Sequence, residues 1–227
     1  MAKKSRKRAK KVSKMCVICG VNETTSFDHI PPECIFLKPF PKNRIKIPAC
    51  SKCNTGRAEI DEKFKAYLSI NVNNPETPST KLFSNEALRT VLHNKKLFRE
   101  ILVNSEPVML LKNNLYLPNY FLVNWDTQVF NTEIEYITRG LYYHHYKEIL
   151  GNQALVIPIQ PKKYPEKLVN VIDLFNINQI GEEQFSYIFG RAKEHKYHSI
   201  WLFQFYNTLV AACRTKPITY DYAPSRR

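Results

Sequence analysis

Two short stretches, Cys16-Val-Ile-Cys19 and Cys50-Ser-Lys-Cys53, set the strongest constraint on how this chain folds. Each holds two cysteines separated by two residues, and 30 residues lie between the two pairs. Where no export signal is expected, such paired cysteines are typical of a metal site rather than of disulfides. Four thiolates suit a closed tetrahedral Zn²⁺ site, which stabilises a segment too small to have its own core. The alternative is two redox-active pairs, although no thioredoxin-like pattern surrounds them.

Length and composition limit the class of protein. The chain has 227 residues, of which 44% are hydrophobic and 12% aromatic, enough to bury a core in one or two domains. No run approaches 18 consecutive apolar residues, and no apolar segment follows the charged N-terminus. These features predict neither a transmembrane helix nor a secretory signal, so we expect a cytoplasmic protein with no membrane partner.

The chain is strongly basic, with 34 Lys and Arg against 20 Asp and Glu and a formal net charge of +14. Residues 1–14 carry eight of these cations and no acid. Their composition predicts a disordered arm, whose phosphate-contact candidates are Lys3, Lys4, Arg6, Lys7, Arg8, Lys10 and Lys11. Because the rest of the chain is also basic, we favour nucleic acid as the partner over a solvated tail.

The pattern then changes along the chain. Residues 15–70 are predicted to form a small metal-stabilised module that ends in a helix, because Ile60, Phe64, Tyr67 and Leu68 recur at helical spacing. Residues 71–80 are rich in Asn and Pro and are interpreted as a linker. Residues 81–220 are predicted to form an α+β accessory domain with an antiparallel sheet, a candidate for substrate recognition.

Several elements are predicted within this second region. A helix is expected over 84–104, with Leu88, Val91, Leu92 and Leu97 or Phe98 facing inward. A second, amphipathic helix is expected over 131–150, where only one of His144 and His145 can face the core. Strands are expected at 108–112, 115–117, 154–159, 185–189 and 200–210, and their aromatic residues are expected to pack the core rather than to stack on bases.

The residues between and after the cysteine pairs carry the candidate chemistry. The segment Phe27-Asp-His-Ile-Pro-Pro32 lies between the pairs, and Asn54 follows the second pair directly. A histidine has an ordinary pKa of about 6.5 and suits a general base near neutral pH. A carboxylate and an amide carbonyl are hard oxygen ligands, as Mg²⁺ or Mn²⁺ prefers. Because neighbours in a strand point to opposite faces, Asp28 and His29 cannot face identically in a straight strand.

The order of these motifs over residues 16–68 resembles the HNH nuclease family, in particular its four-cysteine subset. The resemblance implies a ββα-metal fold, in which a two-stranded hairpin is followed by a helix. It also implies that His29 is the general base and that Asp28 and Asn54 hold a catalytic divalent cation. The cysteines would then hold a separate structural zinc.

The chain departs from the family pattern in two places. The final metal position holds Asn54 rather than His, as in some HNH enzymes. The position of the middle Asn holds Ile45, and Asn43, two residues away, is the candidate to order the loop.

Three residues near Asn54 have two interpretations each. Asp61, nearly two helical turns further on, is either a group behind the metal ligands or an ordinary exposed helix acid. Lys52 and Arg57 either contact phosphate or belong to a solvated basic surface.

The function expected from the sequence is therefore metal-dependent hydrolysis of phosphodiester bonds in double-stranded DNA. A monomer is expected to nick and a homodimer to cut both strands. One alternative is a non-catalytic zinc-ribbon protein that binds nucleic acid, which leaves Asp28, His29 and Asn54 unexplained. The other is a basic structural protein, which explains the arm but not the cysteine spacing.

Overall fold

The computed structural model describes residues 13–70, 76–112, 114–159 and 177–218, so the basic segment 3–11 lies outside the described residues. Helices and antiparallel sheets are mixed along these ranges, which confirms the α+β class. Within the described part of the chain, no helix combines the length and apolar character needed to cross a membrane.

The strands and helices are given in chain order. The strands are β1 (Ser26–Ile30), β2 (Ile45–Ala49), β3 (Ser105–Lys112), β4 (Leu115–Val123), β5 (Ala154–Ile159), β6 (Asn178–Ile180), β7 (Phe185–Arg191), β8 (Ser199–Phe205) and β9 (Leu209–Pro217). The helices are α1 (Ser51–Asn54), α2 (Ala58–Ser69), α3 (Pro78–Leu82), α4 (Leu88–His93), α5 (Lys95–Val103) and α6 (Thr127–Tyr146).

The N-terminal part is a hairpin followed by helices. Strands β1 and β2 pair antiparallel, with His29 opposite Lys46. Helix α2 then buries Phe64, Tyr67 and Leu68, as their spacing predicts. The hairpin and α2 therefore present their apolar faces to the same core.

The C-terminal part is a five-stranded antiparallel sheet in the order β5-β9-β8-β7-β6. Helix α6 contacts this sheet through β5 and β9 and also contacts β1, β2 and α2. It begins four residues before the predicted position because Asp126 caps it, accepting hydrogen bonds from the backbone of Gln128 and Val129. The strand predicted at 200–210 is two strands, since Tyr206 and Asn207 adopt positive φ in a tight turn.

The single helix predicted over 84–104 is wrong in two respects. The helical region already begins at Pro78, inside the predicted linker, and it is interrupted at Asn94. The Asn94 side chain accepts a hydrogen bond from the backbone of Leu97 at 3.1 Å and so starts a new helix. Leu88 and Leu92 are 39% and 57% exposed, because the short helix α4 buries Val91 instead.

One main cluster of buried hydrophobic side chains joins both predicted regions. It includes Ile47 and Phe64 from the first and Ile134, Trp201 and Phe205 from the second. The sheet aromatics therefore pack the core, as expected. A separate, small cluster surrounds the cysteine pairs. The boundaries 15–70 and 81–220 stay a prediction.

Helix α6 approaches the hairpin most closely at Gly140, where a Cβ atom would collide with the side chain of Ile30. Overpacking costs about 1–3 kcal/mol, whereas Gly to Ala in a helix gains about 1 kcal/mol. We therefore expect Gly140→Ala to destabilise the protein by up to about 2 kcal/mol, since Ile30 lies too close to accommodate the new methyl group freely. Thermal unfolding should show this as a Tm lower by roughly 2–8 °C.

Gly56 provides the matched control. A Cβ atom there would have Lys52 Cγ as its nearest neighbour, at 4.0 Å. Gly56→Ala should leave the Tm unchanged or raise it. Equal losses for the two variants would show that Gly140 has no special packing role.

Of the two adjacent histidines, His145 faces the sheet, with its ring centroid 4.0 Å from that of Phe189. Its Nε2 lies 2.9 Å from the Tyr187 hydroxyl, and burial lowers the pKa of His145 to about 4. In the unfolded chain this pKa is about 6.5. Stability from the neutral ring is therefore complete above about pH 6.5 and is lost as the pH falls towards 4. We expect His145→Phe to flatten the dependence of unfolding free energy on pH over this range.

Denaturant titrations at several pH values measure this slope. His93→Gln, on the exposed surface of α4, should keep the wild-type slope. A wild-type slope in His145→Phe would contradict the role of the buried ring.

Candidate metal centre and adjoining polar site

The two cysteine pairs meet at one end of the β1–β2 hairpin. Cys16 and Cys19 lie in a turn that is closed by Gly20, whose N–H donates to the Cys16 carbonyl at 2.9 Å. Cys50 precedes α1, and Cys53 lies within it. The four Sγ atoms all lie within 4.8 Å of one another.

The thiols influence one another's ionisation. Burial opposes ionisation of Cys50, yet hydrogen bonds from the Asn22 side chain and the Cys53 backbone lower its pKa to about 6. Burial raises the pKa of Cys16, and it raises that of Cys53 further with help from the neighbouring thiols. Several thiolates this close together need a cation to compensate their charge. The donor set therefore fits a metal ion such as zinc, and the described residues contain no other group of three or more Cys, His, Asp or Glu ligands.

The two faces of the hairpin separate Asp28 from His29, as strand alternation predicts. Asp28 points towards α6: its Oδ2 accepts a hydrogen bond from the Tyr136 hydroxyl, and its Oδ1 accepts one from the His29 N–H at 2.7 Å. Tyr136 is only 5% exposed, so this end of the Asp28 carboxylate is held by the core.

Asn54 lies on the same side of the hairpin as Asp28. Its Nδ2 donates to Ser26 Oγ at 3.0 Å and to the Phe27 carbonyl at 3.2 Å. Ser26 and Asp28 share a strand face because they are two residues apart. Among the described residues none donates to Asn54 Oδ1, whereas each oxygen of the Asp28 carboxylate accepts one hydrogen bond.

His29 lies on the opposite face, with its side chain 19% exposed and its Nε2 atom buried. Its Nε2 is 3.6 Å from Glu33 Oε1, and Glu33 also pairs with Arg44. Burial and the cations Lys46 and Arg44 lower the pKa of His29. The ring is therefore neutral at neutral pH and can accept a proton.

Arg57 is 6% exposed and lies at the centre of an ion-pair cluster. Its Nε and Nη2 donate to Asp61 Oδ1 at 3.0 and 2.6 Å, and Nη2 also pairs with the fully buried Glu133. Its guanidinium carbon lies 3.3 Å from the centroid of the Tyr136 ring. The interpretation of Arg57 as solvated surface is therefore wrong, and so is that of Asp61 as an ordinary exposed acid.

The electrostatics of this cluster are set by burial. Burial raises the pKa of Glu133 to about 8 despite the opposing charge of Arg57, and it also raises the pKa of Asp61. The two acids raise the pKa of Arg57 in turn, so its charge is retained. Arg57 thus connects Asp61 of α2 to Glu133 of α6. It also packs on the ring of Tyr136, whose hydroxyl holds Asp28.

The remaining candidates lie further out. Lys52 is exposed on α1. Asn43 fastens the loop before β2 to the C-terminal sheet: its Nδ2 donates to the Gln179 carbonyl at 2.7 Å, and its Oδ1 accepts from the Gly181 N–H at 3.3 Å.

Sequence analysis missed four residues of this site: Glu33, Arg44, Glu133 and Tyr136. Two signals were present. Glu33 lies four residues after His29, and Glu133 is an acid on the apolar face of a predicted helix. The sequence contains no comparable signal for the contact between Tyr136 and Asp28, which are 108 residues apart.

The cysteine cluster predicts a stoichiometric structural metal. Elemental analysis of the purified protein should find about one zinc per chain, and Cys53→Ser should lose it. The same variant should lose helical and strand signal by circular dichroism, because structural zinc contributes apparent binding free energies of about 10–16 kcal/mol in zinc-finger peptides. Cys213→Ala, which removes a buried thiol from β9, should keep the zinc. A Cys53→Ser protein with full zinc content and an unchanged spectrum would contradict the assignment.

The chain matches none of the family models, curated proteins or solved structures with which it was compared. Its function is therefore inferred from the residues and geometry of this site.

Proposed function

We propose that this protein is a metal-dependent endonuclease of the HNH type that hydrolyses phosphodiester bonds in DNA. One observation carries the proposal: Asp28 and His29 point to opposite faces of one hairpin, and the next helix brings Asn54 to the Asp28 side. This order of hairpin and helix is the one implied by the resemblance to four-cysteine HNH nucleases.

His29 is the general base in this proposal. Its ring is neutral at neutral pH, because burial and the nearby cations lower its pKa. It lies on the hairpin face that carries Lys46 and the exposed Phe27, and its role is to take a proton from the attacking water. Glu33, beside Nε2, orients the ring and stabilises its charge after proton transfer.

Asp28 and Asn54 are the proposed ligands for Mg²⁺ or Mn²⁺. Such a cation, when bound, stabilises charge on the phosphate and on the leaving oxygen. The Tyr136 hydroxyl fixes one carboxylate oxygen of Asp28, and Arg57 packs against the same ring. The Asn54 amide nitrogen is fixed to β1 by its hydrogen bonds, which leaves the carbonyl oxygen as the atom that would bind the cation.

The cysteine cluster supports the same site indirectly. Cys53 is the residue before Asn54, and Cys50 directly follows β2. A zinc held by the four thiols therefore fixes the start of α1 against the hairpin. We further propose double-stranded DNA as the partner, with phosphate contacts from the basic arm.

A nicking assay with supercoiled plasmid tests the proposed function. Wild-type protein should nick with Mg²⁺ or Mn²⁺ and not with EDTA. His29→Ala should reduce the nicking rate by about 10²–10⁴-fold, the usual contribution of a general base, while it keeps zinc and DNA binding. The exposed residue His93, changed to Ala, is the matched control and should nick like wild type.

Two results would count against the proposal. Nicking that survives EDTA or the loss of His29 would point to a contaminating nuclease. Zinc-loaded wild-type protein that shifts DNA in a gel but never nicks would favour a non-catalytic zinc-ribbon protein.

A further inference from the structure

An open cavity of about 710 Å³ lies between the β1–β2 hairpin, the end of α6 and strand β6. Two of its lining residues, Phe27 and Lys46, share the hairpin face of His29: Phe27 is two residues before it, and Lys46 pairs with it across the strands. The far wall includes Tyr143 and Lys147. The cavity is separate from the cysteine cluster, and it opens on the His29 side of the hairpin.

The charge of this cavity has one sign. Its lining residues include the cations Arg44, Lys46 and Lys147 and no acid. Glu33 compensates Arg44, but Lys46 is exposed. Among the described residues, the Lys147 ammonium contacts the His144 carbonyl and the face of Tyr143, at 5.7 Å from the ring centroid, and pairs with no acid. A cleft lined by one sign of charge concentrates ligands of the other sign, here anions.

The cavity also offers an aromatic surface. Phe27 is 54% exposed, although it lies in a strand whose other face is packed against the core. An exposed ring next to a row of cations is the combination that proteins use for single strands, in which bases stack on aromatics and phosphates meet lysines. A volume of this size lies in the range of ligand clefts, about 300–1,000 Å³.

We propose that this cavity binds one unpaired strand of nucleic acid as the strand passes His29. Lys46 and Lys147 neutralise backbone phosphates, and Phe27 stacks on a base. The proposal adds a substrate class, unpaired strands, to the proposed nuclease function and rests on that function only for the reaction. Binding itself is measured without cleavage.

Fluorescence anisotropy with a labelled 12-nucleotide single-stranded DNA, full-length protein and EDTA measures this binding. The double variant Lys46→Glu/Lys147→Glu should bind at least tenfold more weakly than wild type. The control Lys95→Glu/Lys193→Glu changes the net charge equally at exposed positions outside the cavity and should lose less than threefold. Equal losses, or no loss in either, would overturn the proposal.

A second double variant, with alanine in place of glutamate, separates the loss of phosphate contacts from misfolding. Lys46→Ala/Lys147→Ala should keep its zinc content and circular dichroism spectrum. It should lower the slope of log K against log salt by about 1.4, because each phosphate contact with a single strand contributes about 0.7. An unchanged slope in this folded variant would show that the lysines do not contact phosphate.

Two further measurements test the stacking of Phe27 and the preference for unpaired strands. Phe27→Ala should weaken binding at least fivefold, whereas Phe121→Ala, on the exposed hairpin β3–β4, should not. When the probe is a duplex of the same sequence, the charge variants of the cavity and of the control positions should lose affinity equally. A loss confined to the cavity variant with the duplex would overturn the assignment to unpaired strands.

Parallel nicking assays separate this proposal from the proposed function. If wild type nicks through His29 but cavity and control variants bind single strands alike, the nuclease stands and the cavity site fails. If only the cavity variant loses single-strand binding and wild type never nicks, the binding site stands and the nuclease fails.

Discussion

The convergence of four cysteine thiols within 4.8 Å is the contact on which the N-terminal part of the fold depends. The small cluster around them buries only Cys16, Ala49 and Cys50, with a few half-buried neighbours, whereas the hairpin and α2 pack into the main core. The cysteine turn and the start of α1 therefore gain little from apolar packing, and a metal ion held by the thiols would join them. Because Asn54 follows Cys53 directly, the cysteine cluster also fixes where helix α1 meets strand β1.

A second set of contacts, which is polar, joins the hairpin to helix α6. Glu133 and Tyr136 reach from α6 to Arg57 and Asp28, and Gly140 allows α6 to lie directly on Ile30. A buried cluster of this kind is costly to form, since every charge in it loses hydration. It is maintained because Arg57 is shared between two acids. Helix α6 thus supports the candidate site through these contacts.

The features that were predicted from the sequence are those that depend on local spacing. The cysteine pairs, helix α2, strand β5 and the hairpin β3–β4 each follow from periodicity or from turn residues within a few positions. The break at Asn94 was missed because its side chain competes with the backbone, which periodicity does not register. The burial of Arg57 was missed for a different reason. A lone Arg in a polar stretch has the same local pattern on a surface as in a core, and its fully buried partner, Glu133, lies 76 residues away.

The alternation of one strand explains how the site serves two needs at once. In the proposed nuclease a metal ligand must be held rigidly, and Asp28 lies on the face that α6 covers, where the Tyr136 hydroxyl holds it. The proposed general base, His29, comes one residue later and lies on the opposite face, beside Lys46 and the exposed Phe27. A one-residue slip in register would exchange the two faces and bury the base. Residues as far apart as Cys53 and Gly140, which hold the hairpin from its two sides, therefore bear on the same property of the site: which face of β1 is buried.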